Sequence, residues 1–146
     1  MKKKVLNSAA IMALAILTII ISGCAANRVN LTDAGIVTIQ QHTPGKVRIA
    51  WSDAYEDEDG FVVTGVLRRH DLVGMPIKTH VNVTVFAPDG NILDEARSRD
   101  IYVPRRRIGR GQSFTRFRVN FPTIPTEGSK ISITTHTSTH SDTEQT

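Results

Sequence analysis

Short runs in which apolar and polar residues alternate constrain the fold of this chain more than any other feature. The clearest runs read KVRIAW, THVNVTVF and RFRVNF. Successive side chains of a β-strand point to opposite faces, so a period of two predicts strands with one buried and one solvated face. In the first run we expect Val47, Ile49 and Trp51 on the buried face.

The number and spacing of these runs indicate the architecture. Further candidate strands are Ile36–Gln40, Phe61–Arg69, Ile92–Val103 and Lys130–Thr137. Segments with glycine or proline turn chemistry separate the strands. About seven short strands at this spacing predict an all-β fold, an antiparallel immunoglobulin-like β-sandwich. A small β-barrel is the alternative, and the segment Asp94–Arg99 is compatible with helix or strand.

The first 23 residues have the layout of a secretory signal. Lys2, Lys3 and Lys4 give a basic start, and Ala9–Ile21 carries no charge. The uncharged run is too short to span a membrane comfortably, since a span needs about 20 apolar residues. We therefore predict a helical signal peptide over residues 1–23 that is cleaved from the mature protein.

The predicted signal ends at the only cysteine of the chain. The segment Ile21-Ser22-Gly23-Cys24 resembles the lipobox of bacterial lipoproteins at every position. The resemblance implies that the Cys24 thiol receives a diacylglyceryl group, that cleavage falls just before it, and that the new amino group is acylated, as with palmitate. Two or three acyl chains make attachment to a membrane stable, whereas one anchors only marginally. The alternative is an ordinary secretory signal with Cys24 unmodified.

The residue after the cysteine bears on the destination of a lipoprotein. In the enterobacterial sorting rule an aspartate there retains the protein in the inner membrane, and this chain has Ala25. The resemblance therefore implies a lipid anchor in the outer membrane, with the protein on the periplasmic face. The rule varies among bacteria, so anchoring in the inner membrane is the alternative. In both cases the lipid bilayer is the first expected partner.

Cleavage at this point divides the chain into four segments. Residues 1–23 are the signal peptide, 24–34 the lipidated N-terminus and linker, 35–137 the β-sandwich domain, and 138–146 a disordered polar tail. Three lysines leave with the signal, so the formal net charge of +4 falls to +1. The charge of the mature chain therefore gives no argument for a nucleic-acid partner.

Part of the predicted sandwich resembles the FxLyD-type domain of bacterial exported proteins. The resemblance lies in the segments VNVTVFAPDGNILDEA and GRGQSFTRFRVNFP, in which a valine-rich strand runs into an Asp-Gly turn. The matching residues are Val83, Val85, Asp89, Gly90, Leu93, Gly111 and Phe117. The APDG turn is one residue longer than in the family, and TGVLRR lacks the usual asparagine. The resemblance implies a binding or scaffolding domain without catalytic residues.

An acidic turn is one candidate site. It consists of Asp53, Glu56, Asp57, Glu58 and Asp59, followed by Gly60. Oxygen-rich loops bind Ca²⁺, and Asp57 and Asp59 are the candidate ligands. The turn lacks the alternating aspartates and the distal glutamate of an EF-hand loop. We prefer a solvated hairpin tip whose like charges discourage pairing of strand edges, so no metal site is predicted.

A run of arginines is the preferred site for partner binding. The segment PRRRIGRGQ, in a predicted loop between two strands, contains Arg105, Arg106, Arg107 and Arg110. Guanidinium groups bind carboxylates and phosphates through paired hydrogen bonds, and Arg116 and Arg118 would extend the positive surface. The expected partner is a protein, an acidic envelope polymer or a lipid headgroup. The alternative is a solvated loop whose charge the acidic turn balances.

The sequence gives no support for catalysis. The mature chain has no Gly-x-Ser-x-Gly elbow, no His-Glu-x-x-His motif and no glycine-rich phosphate loop. His136 and His140 are four residues apart, which on a strand separates them by about 13 Å. We predict a non-enzymatic binding or assembly module without a cofactor. A periplasmic ligand- or Ca²⁺-binding domain that uses the acidic turn is the alternative.

Overall fold

The regular structure of the described residues consists of strands. The computed structural model describes residues 28–71, 73–105 and 114–137. The strands are β1 (Val37–His42), β2 (Val47–Asp57), β3 (Gly60–Arg69), β4 (Ile77–Phe86), β5 (Ile92–Arg97), β6 (Ile101–Val103), β7 (Thr115–Phe121) and β8 (Ser129–Thr137). Within these ranges no helix has the length and hydropathy needed to cross a bilayer. The predicted signal peptide, Cys24 and the polar tail lie outside the described residues.

The strands form two sheets. The first sheet has the order β1-β8-β4-β5, with β6 also paired to β4, and the second has the order β2-β3-β7. The chain passes from one sheet to the other after β1, β3, β6 and β7. The predicted all-β sandwich is thereby confirmed. One pair departs from the antiparallel expectation, because β1 and β8 run parallel.

The core lies between the sheets and is filled from the alternating positions. Val81, Val83 and Val85 of β4 are at most 2% exposed, while the residues between them are partly exposed. From the second sheet, Phe61 stacks on Phe121 with ring centroids 4.7 Å apart. Burial of one such apolar side chain stabilises the fold by about 2 kcal/mol. The period of two in the sequence therefore specifies the buried faces directly.

A β-bulge in β2 interrupts the alternation. Val47 and Ile49 are buried as predicted, but Trp51 is 46% exposed. The register against β3 shifts between Ile49 and Trp51, which leaves Ala50 without a paired residue. One extra residue moves the following side chains to the opposite face, so Ala54 points into the core. The predicted burial of Trp51 was wrong because alternation alone does not show a bulge.

The predicted strand Ile92–Val103 is two strands, β5 and β6, separated by residues 98–100. At the break the Ser98 N–H donates to the Val81 carbonyl (2.8 Å), and the Val81 N–H donates to Ser98 Oγ (2.9 Å). These two hydrogen bonds hold the corner against β4, so both strands remain in the same sheet. Most of the segment Asp94–Arg99, which the pattern left open, belongs to β5.

The segment before β1 is part of the folded domain. Leu31 is 1% exposed, and its N–H donates to the Ala54 carbonyl at 2.8 Å. Asn30 forms an isolated antiparallel bridge with Tyr55. The predicted linker over residues 24–34 therefore contains residues that pack onto β2, and the folded domain begins before the predicted boundary.

Candidate functional site

The predicted arginine loop connects the two sheets. Its arginines outside the described residues are Arg106, Arg107 and Arg110. Arg105 is exposed just after β6, and the described chain resumes at Phe114, just before β7. Thr115 Oγ1 donates a hydrogen bond to the Tyr102 carbonyl (3.4 Å), which brings the two ends of the loop together. The described strands on either side of the loop therefore belong to different sheets, β6 to the first and β7 to the second.

The described arginines fall into two groups. Those with a carboxylate partner are Arg28 and Arg118, which share Asp57, Arg69 with Asp71, and Arg97 with Asp100. Those that form no ion pair with another described residue are Arg48, Arg68, Arg99, Arg105 and Arg116. A guanidinium group without an internal carboxylate keeps its donors available for an external anion.

Strand register brings several of these arginines to the outer face of the second sheet. Trp51 lies opposite Val66, and Val66 lies opposite Arg116, so these three form a row across β2, β3 and β7. Arg48 lies opposite Arg68 beside this row, and the Nε of Arg68 is buried without a hydrogen-bond partner among the described residues. We call Arg48, Trp51, Arg68 and Arg116 the arginine face. Tryptophan and arginine together are enriched at protein-binding surfaces.

A cleft of about 410 Å³ lies beside β7, and we call it the β7 cleft. Arg116 and Arg118 line it from β7, and Arg99 lines it from the corner between β5 and β6. The Phe114 ring lies 5.9 Å from the Arg116 guanidinium carbon, and this cation–π contact helps to orient the side chain. The cleft therefore collects guanidinium groups from both sheets.

Arg118 differs from the other arginines of the β7 cleft because its position is fixed. Its guanidinium group forms an ion pair with Asp57, and its Nε donates to Asn120 Oδ1 at 3.0 Å. Arg28 approaches the same carboxylate to 3.5 Å. Two guanidinium groups thus share one carboxylate, so this trio retains a net positive charge.

The acidic turn has a structural contact that the sequence did not indicate. Asp57, one of the two candidate calcium ligands, is the carboxylate that Arg28 and Arg118 share. Asp59, the other candidate, is exposed. Nowhere in the described ranges do three or more His, Cys, Asp or Glu side chains lie together so that they could hold a metal ion. Through Arg118, Asp57 instead connects the end of β2 to β7.

Two histidines meet on the outer face of the first sheet. His80 of β4 lies opposite His136 of β8, and their rings stack with centroids 5.2 Å apart. Burial lowers the pKa of His80, and the charge of Arg97 and the neighbouring His136 lower it further. His140, expected from the sequence to lie about 13 Å from His136, lies outside the described residues. The described geometry places two imidazole rings side by side.

A buried arginine is the main polar feature that sequence reasoning missed. The Arg69 side chain is 2% exposed and donates to both carboxylate oxygens of Asp71 at 2.6 Å. It also donates to the Val73 and Met75 carbonyls. These bonds from Arg69 lower the pKa of Asp71, and burial opposes them. The residue therefore fixes the connection from β3 to β4 and is not available to a partner.

Comparison with known proteins gives no match to this chain. No protein-family model, no curated protein and no solved structure matches it. The lipoprotein and FxLyD-type resemblances therefore stay predictions from the quoted motifs. The class that the structure itself defines is a two-sheet β-sandwich with a cationic cleft beside one edge strand.

Proposed function

We propose that this protein is a bacterial lipoprotein whose β-sandwich is a non-catalytic binding or assembly module in the periplasm. Acylated Cys24 anchors it, and Ala25 favours the outer membrane over the inner membrane. The basic start, the uncharged run and the lipobox in succession support the anchor. The absence of any recognised catalytic motif from the mature sequence supports a binding role.

The distribution of arginines is the observation that carries the binding role. Five described arginines form no ion pair with another described residue, whereas the other four pair with Asp57, Asp71 or Asp100. Unpaired guanidinium groups beside an exposed tryptophan suit a partner rich in carboxylates or phosphates. The proposed partner is therefore an acidic protein surface or an acidic envelope polymer.

The path of the chain supports a partner in the periplasm over the headgroups of the anchoring membrane. Arg28, the first described residue, contacts Asp57 at one end of β2. Arg48 is near the other end of β2, and nine residues of strand span about 30 Å. Cys24 is four residues before Arg28, a reach of at most about 14 Å. A bilayer held at Cys24 would lie nearer the acidic turn than Arg48.

The alternative function, Ca²⁺ or ligand binding at the acidic turn, is disfavoured by the ion pairs of Asp57. An incoming cation would have to displace Arg28 and Arg118 from that carboxylate. Both arginines would then be left without their anion, which opposes binding of a cation. The acidic turn therefore carries no second proposal.

Capture of the partner in intact membranes tests the binding role. We predict that replacing Arg105, Arg106 and Arg107 together by alanine removes the species that crosslink to the wild-type protein. Because the described Arg105 is exposed, its replacement is expected to leave the melting temperature unchanged. The measurement is mass spectrometry of crosslinked species together with thermal unfolding of both proteins.

The variant Lys130→Ala is the control, since it removes an exposed charge from the first sheet. It should retain every crosslinked species. An unchanged partner set in the triple-alanine variant would contradict the role of the loop, which would then only solvate this end of the domain.

A further inference from the structure

The strand β7 is an edge strand of the described structure. In the second sheet it pairs with β3 through seven residue pairs, from Phe61–Phe121 to Leu67–Thr115. No other described strand pairs with its opposite side. In an antiparallel sheet, the N–H and C=O groups of alternate residues point to opposite sides of a strand. The groups of β7 that point away from β3 therefore form a row that no other described strand pairs with.

Among the described residues, a cleft borders this free side. The β7 cleft has a volume of about 410 Å³ and extends from β7 to the corner between β5 and β6. Phe117, which is buried, contributes to its floor, and Asn120 lines it near the end of the strand. A further strand added to a sheet lies about 4.8 Å from its neighbour, so it would run within this cleft.

The charge of the β7 cleft selects an anionic occupant. Arg99 and Arg116 form no ion pair with another described residue, and Arg118 shares one carboxylate with Arg28. The cleft therefore holds three guanidinium groups that a single aspartate does not neutralise. An acidic group entering between Arg99 and Arg116 would receive hydrogen bonds from both sheets.

The spacing of the arginines favours a polypeptide over other polyanions. Arg116 and Arg118 are two residues apart on β7, so they repeat at about 6.6 Å along the free edge. Alternate side chains of an adjacent extended peptide repeat at the same distance. Only a polypeptide would also satisfy the unpaired backbone groups of β7.

We propose that the β7 cleft binds an extended acidic segment of a partner protein, which adds to the second sheet as a fourth strand beside β7. The inference rests on the proposed function, of which it names the partner class. Backbone hydrogen bonds to β7 supply affinity, and alternate acidic side chains lie along Arg116 and Arg118, with Arg99 within reach of the carboxylate that Arg116 binds. The competing explanation is that these arginines only protect an exposed edge from pairing.

A binding assay with a defined peptide tests this proposal. The probe is a fluorescein-labelled decapeptide of alternating glutamate and threonine, measured by fluorescence anisotropy with the purified full-length protein. We expect saturable binding that the double variant Arg99→Gln/Arg116→Gln weakens about tenfold or more. The variant Lys130→Gln removes an exposed charge of the first sheet, outside the cleft and the arginine face, and is expected to bind within about twofold of wild type.

Two further ligands separate backbone pairing from charge. The same decapeptide with N-methyl groups on alternate residues keeps its carboxylates but loses donors, and we expect it to bind at least about tenfold more weakly. Alginate, a carboxylate polymer without a peptide backbone, is expected not to compete with the decapeptide at equal carboxylate concentration. Equal competition by alginate, or unimpaired binding of the N-methylated peptide, would overturn the proposed strand addition.

Comparison with the crosslinking experiment distinguishes the two proposals. If the decapeptide does not bind but crosslinking still depends on the arginine loop, the acidic-segment inference is wrong and the proposed binding role stands. If the decapeptide binds as expected but the triple-alanine variant keeps every partner, the cleft is supported and the role of the loop is refuted. If the decapeptide does not bind and the triple-alanine variant keeps every partner, both proposals are overturned. The arginines of β7 then only prevent its exposed edge from pairing with other strands.

Discussion

At the scale of single residues, burial decides whether an arginine stabilises the fold or is available to a partner. Arg69 and Arg68 are neighbours in β3, but their side chains point to opposite faces of the sheet. Arg69 is buried and bound to Asp71, whereas Arg68 is partly exposed on the arginine face. A sequence shows two adjacent arginines, and only the strand register tells that one is structural and the other is available for binding.

Removal of the partner of Arg69 should destabilise the domain. We predict that Asp71→Ala lowers the free energy of unfolding by about 3 kcal/mol, because it leaves a buried guanidinium group without its anion. The variant Asp100→Asn, which alters exposed ion pairs with Lys78 and Arg97, should cost much less. Urea unfolding measures both. Equal, small losses would show that Arg69 does not depend on Asp71.

The same pair predicts a pH dependence. Since the folded protein lowers the pKa of Asp71, the stabilisation by this carboxylate is complete above its ordinary value of about 3.9 and is lost as pH falls through the folded value. The difference in stability between wild type and Asp71→Ala should therefore be constant from pH 5 to 7, to about the accuracy of unfolding measurements, and shrink in stronger acid. A difference that grows on acidification would contradict the ion pair.

Gly65 is a second residue with a specific role. An added Cβ would lie 2.5 Å from the Trp51 carbonyl oxygen and 2.6 Å from the ring of Phe117. We predict that Gly65→Ala destabilises by about 2 to 3 kcal/mol through overpacking. At Gly90 there is open space but a φ of +88°, so Gly90→Ala should cost only about 1 kcal/mol of backbone strain. Equal costs would contradict the close contact of β3 with Phe117.

At the scale of the elements, the bulge in β2 decides which residues reach the surface. Without it Trp51 would continue the buried series of Val47 and Ile49, and Ala54 would face solvent. With it, Trp51 joins Arg116 on the arginine face. The bulge is therefore the local irregularity that builds the candidate site.

Trp51 is the only tryptophan in the chain, so its fluorescence reports the bulge directly. We predict emission typical of a partly hydrated indole and efficient quenching by acrylamide in the folded state. The variant Trp51→Ala should lower the free energy of unfolding by less than about 1 kcal/mol, because the side chain is not in the core. A blue-shifted, protected tryptophan would place it between the sheets and contradict the register shift.

Much of the element structure could be predicted from the sequence, and the reasons are local. Alternating valines and phenylalanines mark the buried faces of β4 and β7, and glycine or proline turns mark their ends. The bulge at Ala50, the break at Ser98 and the parallel pairing of β1 with β8 could not be predicted. Each depends on a partner strand that is distant in sequence, and no local pattern reports it.

At the scale of the whole molecule, Arg105 and the acidic turn lie at opposite ends of the sandwich. The turn from β2 to β3 carries Asp57 and Asp59, and β7 begins at the opposite end from this turn, next to Arg105. The arginine loop could be predicted from its run of charges, and so could the extension of its positive surface by Arg116 and Arg118. The contribution of Arg99 could not be predicted, because the corner between β5 and β6 reaches the β7 cleft only through tertiary packing.

The proposed anchor would give the two ends of the domain different surroundings. A lipid at Cys24 would hold the domain from the side of Arg28, near the acidic turn, and would leave the Arg48 end of β2 directed to the periplasm. The proposed binding role and the proposed anchor are therefore linked, because the anchor would decide which partners the arginine face can meet.

Detergent phase partitioning of the natively expressed protein, followed by mass measurement of its N-terminal peptide, tests this central claim most directly. We predict that the wild-type protein enters the detergent phase, begins at Cys24 and carries an acyl mass there, whereas the Cys24→Ser variant stays in the aqueous phase. A wild-type protein that stays in the aqueous phase with an unmodified cysteine would contradict the lipid anchor and the orientation derived from it.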